Sequence, residues 1–380
     1  MVTKNAVFMR SVAFCKRLYI KTNESGRNKR FEGSLLGRLE IANGVLTDRL
    51  PAETVETTPR QKTKEGENIM ERIHAVTFAP FCARGTFEKE ETRQSLKLMK
   101  EKTGANYVIF APNGMQKTAF SEEIDYRTDR NVTDEELIAM IGYAKELGLN
   151  VALKPTANCA DGTWRAHINF FDEDVVCEPK WGNWFASYRA FQEHYAGLAQ
   201  QCGVDLFIAG CEMVQTERRE AEWREVIAAI RRKYDGLVSY NTDKYQEHNV
   251  KWWDAVDVIS SSGYYPINDW DNQLDRIEQV VKKFDKPFFF AEAGCMSVEG
   301  SNQVPNDWGV QGAYDEKGQA DWFRTMFAAC QKREWVGGFG IWEWAAWHGN
   351  GTKPVKRNDY EVYGKEALEV ICRKYSQVLE

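Results

Sequence analysis

No stretch of this 380-residue sequence is long and uncharged enough to cross a bilayer, since every apolar run falls well short of the ~20 residues a spanning helix needs. The most leader-like segment, Asn5 to Ile20, is broken by Arg10, Lys16 and Arg17 and keeps no uncharged core of export-signal length. A basic excess is lacking too: 50 Lys and Arg face 56 Asp and Glu, a net charge of −6, which argues against a nucleic-acid surface. There is no Cys-x-x-Cys, and the nine cysteines are scattered at mostly apolar positions, as reduced thiols are. A cytoplasmic location is therefore expected. Histidine is scarce, at positions 74, 167, 194, 248 and 348, with no His-x-His pair, so a metal-dependent amidohydrolase barrel would lack its ligands. Neither a Gly-x-Ser-x-Gly elbow nor a Gly-x-x-x-x-Gly-Lys loop occurs. No metal or cofactor is expected, and no feature fixes the oligomeric state.

Tryptophan is missing from the first 163 residues, although the chain holds 13. Residues 1–70 carry 13 Lys and Arg against 8 Asp and Glu, whereas the remainder carries 37 against 48. They also show no sustained period of 2 or 3.6. Residues 1–69 are expected to be a weakly ordered extension, and 70–380 a single catalytic domain. Codons for Glu65-Gly66-Glu67 can spell a purine-rich ribosome-landing site, which would make Met70 the natural start; a genuine flexible extension is the alternative.

What is present from Met70 onward is an alternation of apolar strands and amphipathic helices. The strands read "HAVTFAPF" (His74–Phe81), "NYVIFAP", "NVALKPTAN", "VDLFIAGCE", "LVSYNTD", "VDVISSSGYYP", "KPFFFAEAG" and "VGGFGIWEW". They are near-continuous apolar runs, as strands covered on both faces must be. Thr133 and Glu136 fit a capping box at the start of the second helix, and Gly148 fits its end. Eight such units in roughly 310 residues fit an α/β fold of the (β/α)8 TIM-barrel type. A doubly wound sheet would favour a glycine-rich loop after the first strand, and "FAPFCARGTF" is not one.

In such a barrel the chemistry sits at the carboxyl ends of the strands. Two apolar strands end on an acid there: the fourth on Glu212 and the seventh on Glu292. Across the barrel mouth these two carboxylates can act as a pair, one as acid and base and the other as nucleophile. A buried ion pair with a nearby Arg or Lys explains either glutamate alone, but explains both at matching strand ends less well. Lys154, Asn113, Asn241, Asp243, Tyr264, Tyr265, Trp342 and Trp344 end other strands, and "DGTWR" supplies Trp164 and Arg165. Together they describe a mouth of aromatic planes and hydrogen-bonding groups, which suits a sugar. Trp223, Trp252, Trp253 and Trp322 fall in helix patterns and are expected in the core. Cys211 and Cys295 flank the glutamates, but small thiols at strand ends are more often packing than nucleophiles.

"LKPTANCADGTWRAHI", "FIAGCEM", "SSSGYYP" and "FFFAEAG" resemble glycoside hydrolase family 113, from about Arg72 to about His348. The resemblance implies a retaining glycosidase of clan A, acting on β-1,4-linked mannan or manno-oligosaccharides. Glu212 matches the acid/base and Glu292 the nucleophile. Lys154, Trp164, Arg165, Tyr264 and Trp342 match positions expected to line the sugar subsites, with Asn113, Asn241 and Trp344 added from the strand-end reading. The clan usually has Asn before its acid/base, and Cys211 stands there instead. The alternatives are a retaining β-glycosidase for xylo- or gluco-oligosaccharides and a catalytically silent sugar-binding barrel.

Overall fold

The computed structural model describes residues 40–42, 45–47, 72–171, 180–349 and 353–376. Two compact units divide the chain, Met1–Glu67 and Asn68–Glu380. Of the first, the described part is an antiparallel ladder of Glu40–Ala42 with Val45–Thr47. The expected extension over 1–69 otherwise lies outside the described residues.

In the second unit eight parallel strands close on themselves: β1 Ile73–Phe78, β2 Tyr107–Phe110, β3 Asn150–Leu153, β4 Leu206–Cys211, β5 Leu237–Thr242, β6 Val258–Ser262, β7 Phe288–Ala293 and β8 Val336–Trp344. The ring runs in chain order, with β8 pairing back onto β1. This is the (β/α)8 barrel the alternating pattern implies. Among the described residues seven α-helices cover it: α1 Glu90–Thr103, α2 Asp134–Glu146, α3 Lys180–Cys202, α4 Glu220–Arg231, α5 Trp270–Phe284, α6 Glu316–Gln331 and α7 Glu366–Tyr375. After β5 the chain makes only a 3-10 turn, Trp253–Ala255. The capping box at α2 is formed in both directions: the Glu136 amide donates to Thr133 Oγ1 at 3.2 Å, and the Thr133 amide to Glu136 Oε2 at 2.9 Å. Gly148 lies one residue past the α2 cap, in the left-handed conformation that lets the chain turn out.

The period of two along each strand sorts apolar side chains into two cores. Phe289 and Ala291 join Ile73, Ala75, Ile109, Leu206 and Ile208 inside the barrel. Phe288 and Phe290 face the helices, where Trp223, Trp252, Trp253 and Trp322 are also fully buried, as their helix patterns imply. At the carboxyl ends this alternation is broken on purpose. The β7–β8 ladder shifts register between Phe290 and Ala293, and the β4–β5 ladder between Ile208 and Cys211. Such bulges re-aim side chains at a barrel rim. A further parallel ladder, Asn113–Gln116 with Thr156–Cys159, follows β2 and β3.

Candidate active site

Glu212 follows β4 directly, with φ of +52°, in the left-handed region that costs a non-glycine residue about 1–2 kcal/mol. Gly210 precedes it at φ of +108°, where a Cβ would lie 2.1 Å from the Tyr188 hydroxyl. The shift in the ladder therefore depends on glycine. It turns Cys211 toward the mouth, and the Glu212 amide donates to the carbonyl of Asn241 on β5 at 2.7 Å. Glu212 accepts from three donors: Arg165 at 2.8 Å and the Trp164 indole at 3.1 Å on Oε2, and Ser262 at 2.8 Å on Oε1.

Glu292 stands opposite Ser262 in the β6–β7 ladder. Its Oε1 accepts from Lys154 and from the Cys211 thiol at 3.1 Å, and its Oε2 from the Tyr264 hydroxyl at 2.9 Å. Burial alone would push the Glu292 carboxyl up, but the charges of Lys154 and Arg165 outweigh it and hold the group below the ordinary carboxylate range. Burial pushes the Cys211 thiol well up, reinforced by Glu292, so Cys211 is a hydrogen-bond donor and a poor nucleophile. Carboxylate oxygens of Glu212 and Glu292, with the Cys211 sulfur, lie within 4.8 Å of one another. That donor set resembles a cation site only in outline, because Lys154 and Arg165 already supply two buried positive charges to it.

A cavity of about 490 Å³ stands over the two carboxylates. Trp164, Arg165, Tyr264 and Trp342 line it, as the strand-end reading expects. Lys154 and Asn241 sit one layer lower, fully buried, with the lysine reaching Glu292 and, at 3.4 Å, Asn241 Oδ1. Asn241 in turn donates to Ser262 at 3.0 Å. Asn113 does not reach the cavity. It accepts from Asn158 at 2.8 Å, and Asn158 accepts from Arg165 at 3.3 Å, so it steadies the arginine from behind. Trp344 is a correction: it is fully buried on the helix side, donating its indole N–H to Ser95 at 3.0 Å. Asp243, which sequence reasoning noted without assigning a role, lines the cavity beside Lys244. Sequence reasoning missed Phe81, Lys244, Val304, Asn306, Asp307, Trp308 and Tyr360. Trp308, 74% exposed in a polar loop, is the one whose composition signals a role.

A family model for glycoside hydrolase family 113 matches residues 76–365. The chain belongs to glycoside hydrolase family 113. It is a glycoside hydrolase. Two solved structures of β-1,4-mannanases of this family, one of them a complex, are each 54% identical to it, with a TM-score of 0.79 over 81% of this chain and 100% of theirs. The β-mannanase of Alicyclobacillus acidocaldarius is 38% identical, with a TM-score of 0.77 over 81% of this chain and 98% of its own. A β-glucuronidase of Ruminococcus gnavus, 15% identical with a TM-score of 0.55 over 80% of this chain and 50% of its own, shares the fold alone. Comparison with curated proteins gives no match. In this family 113 enzyme no described helix is long and apolar enough to cross a membrane. Cys211, where the clan usually carries Asn, spends its one donor on Glu292.

Proposed function

We propose that this enzyme hydrolyses β-1,4-linked mannan or manno-oligosaccharides with retention, Glu212 serving as acid and base and Glu292 as nucleophile. One observation carries the mechanism. Carboxylate oxygens of the pair approach within 4.8 Å, which matches the ~5–5.5 Å of retaining enzymes and leaves no room for the water an inverting pair holds at ~6.5–9.5 Å. Glu292 is held ionised by Lys154 and Arg165, as attack on an anomeric carbon demands. In the first step the Glu292–sugar bond forms, the glycosidic bond breaks, and Glu212 gives its proton to the leaving oxygen. In the second, Glu212 takes a proton from water, which displaces Glu292. The mannan preference draws on the two 54%-identical relatives, both β-1,4-mannanases. A reducing, cytoplasmic setting agrees with seven unpaired cysteines among the described residues.

Dinitrophenyl β-glycosides test the assignment, because dinitrophenolate leaves without a proton. Glu292→Ala is expected to lose nearly all turnover. Glu212→Ala is expected to keep the first step, accumulate a glycosyl-enzyme with added mass on Glu292, and recover turnover with azide as a β-glycosyl azide. Azide rescue of Glu292→Ala with retention, or full activity of either variant, would reverse or remove these roles. Manno-, gluco- and xylo-oligosaccharides offered side by side decide the sugar.

A further inference from the structure

Behind β5, away from the cavity, a buried carboxyl has no part in the chemistry described so far. Glu217 closes the 3-10 turn Val214–Thr216, which follows Glu212 and Met213. It does not line the cavity. Its Oε1 accepts from the Tyr240 hydroxyl and from the Thr242 hydroxyl, each at 2.7 Å, and its Oε2 has no partner among the described residues. Tyr240 lies in the helix-side core, and the period of two puts Thr242 on the same face of β5.

The bonds run on toward the acid/base. The single hydroxyl proton of Tyr240 is spent on Glu217, so only lone pairs remain, and one of them accepts the Met213 amide at 3.1 Å. One residue earlier the Glu212 amide donates to the Asn241 carbonyl. β5 therefore grips two successive amides, one with its backbone and one with a hydroxyl that Glu217 orients. Without Glu217 that hydroxyl can turn its proton toward the Met213 amide, and donor would face donor. The Met213 carbonyl is held as well, by the Thr216 amide at 2.7 Å and the Thr216 hydroxyl at 2.8 Å. This grip falls where it is needed. Glu212 sits at φ of +52°, a conformation that persists only where its surroundings over-determine it. Burial, with the charges of Asp243 and Glu247, pushes the Glu217 carboxyl up to about 8 against the pull of Tyr240 and Thr242. At neutral pH it is therefore mainly the uncharged acid, and glutamine copies its shape and its acceptor.

We propose that Glu217 is a positioning residue for Glu212: through the Tyr240 hydroxyl and the Met213 amide it fixes the left-handed turn that aims the acid/base carboxyl at the leaving group. The inference rests on the reading of Glu212 as acid and base.

Loss of aim is read through the leaving group. Phenyl, mononitrophenyl and dinitrophenyl β-biosides of the sugar the wild type cleaves share one glycone and need a proton to a falling degree, and their kcat/KM reports the first step. Glu217→Leu and Tyr240→Phe are expected to lower kcat/KM on the phenyl substrate by roughly 10-fold or more, out of the ~10²–10⁴-fold that proton transfer supplies, and on the dinitrophenyl substrate by no more than about twofold. Glu217→Gln, which keeps an acceptor for both hydroxyls, is expected to recover most of that loss. Equal losses on all three substrates are what a merely loosened fold gives, and they would overturn the positioning role. So would undiminished rates, or a Glu217→Gln no better than Glu217→Leu. Glu212→Ala, measured alongside, separates the two readings. A graded loss there with flat profiles at Glu217 and Tyr240 overturns the positioning role alone, whereas a flat profile at Glu212→Ala overturns the acid/base assignment and the inference with it. If Glu217→Leu does not fold, Tyr240→Phe carries the test from the other end, since it removes the acceptor of the Met213 amide and leaves Glu217 bonded to Thr242.

Discussion

Lys154 is the place where the electrostatics of this site can be read most directly. Its ammonium is fully buried, binds Glu292 Oε1, lies 3.4 Å from Asn241 Oδ1 and sits 5.7 Å from the Trp342 ring centroid. Lys154→Met keeps the length of the stem and deletes the charge. Glu292 is then a buried anion with Arg165 as its remaining nearby cation. Removing one partner of a buried pair costs about 3–5 kcal/mol, or roughly 5–8 °C in Tm at ~2.1 cal/mol/K of unfolding entropy per residue for a unit as long as Asn68–Glu380. The loss has a definite pH dependence. In the wild type, Glu292 is held below the usual carboxylate range, so its charged form contributes stability above the unfolded carboxyl pKa of ~4.3, lost as pH falls through the lower folded value. Without Lys154 burial prevails and the folded pKa moves up. The deficit of the variant is then largest at neutral pH and shrinks in mild acid, where Glu292 takes a proton. The acid limb of kcat/KM moves to higher pH for the same reason. Calorimetry of the wild type, Lys154→Met, Glu292→Gln and the double variant measures the coupling, and the double variant is expected to regain most of the stability. An unmoved acid limb, or a Tm deficit equal at both pH values, would refute this account of Glu292.

Two further changes probe the site and the core behind it. Trp344→Ala is expected to destabilise by about 3–5 kcal/mol in thermal unfolding while leaving KM unchanged below the transition, because the side chain fills the helix-side core and does not reach the cavity. Asp243 is pushed up to about 7 by burial and by the charge of Glu212, against the pull of Lys244. The unfolded group titrates near ~3.9, so between that value and about 7 the folded state holds a proton the unfolded state has lost, and wild-type stability falls as pH rises. Asp243→Asn is expected to flatten this decline in Tm, and an unchanged slope would show that Asp243 ionises as an ordinary carboxyl.

Much of the fold was legible because a parallel barrel writes itself into sequence twice, as eight apolar runs and as the acids that end two of them. Glu212 and Glu292 stood out because an acid at the end of a buried strand has few bland explanations. What the strand pattern did not show is where alternation breaks at the rim. Trp342 and Trp344 are two residues apart and should share a face, yet the β8–β1 ladder shifts between Ile341 and Trp344, and only Trp342 meets the cavity. No local pattern announces such a shift. Asn113 was misplaced for a related reason, since the short ladder after β2 carries it behind Arg165. Val304, Asn306, Asp307 and Tyr360 come from connections whose approach to the mouth depends on long-range packing, and no spacing in the sequence encodes that.

The closed ring also has an engineering consequence. The distance between the two glutamates is set by β4, β5, β6 and β7 pairing in sequence, with Ser262 facing Glu292 in the ladder and bonded to Glu212. That spacing belongs to the scaffold and owes little to the loop that carries Val304 to Trp308, or to the β1 and β8 connections. On the roles proposed for Glu212 and Glu292, those segments can be exchanged or diversified to change which glycan is recognised while the reaction itself is inherited unchanged. Libraries aimed at new sugar preference belong in the loops, and substitutions at Gly210, Asn241 or Ser262 would erode the chemistry for every substrate alike.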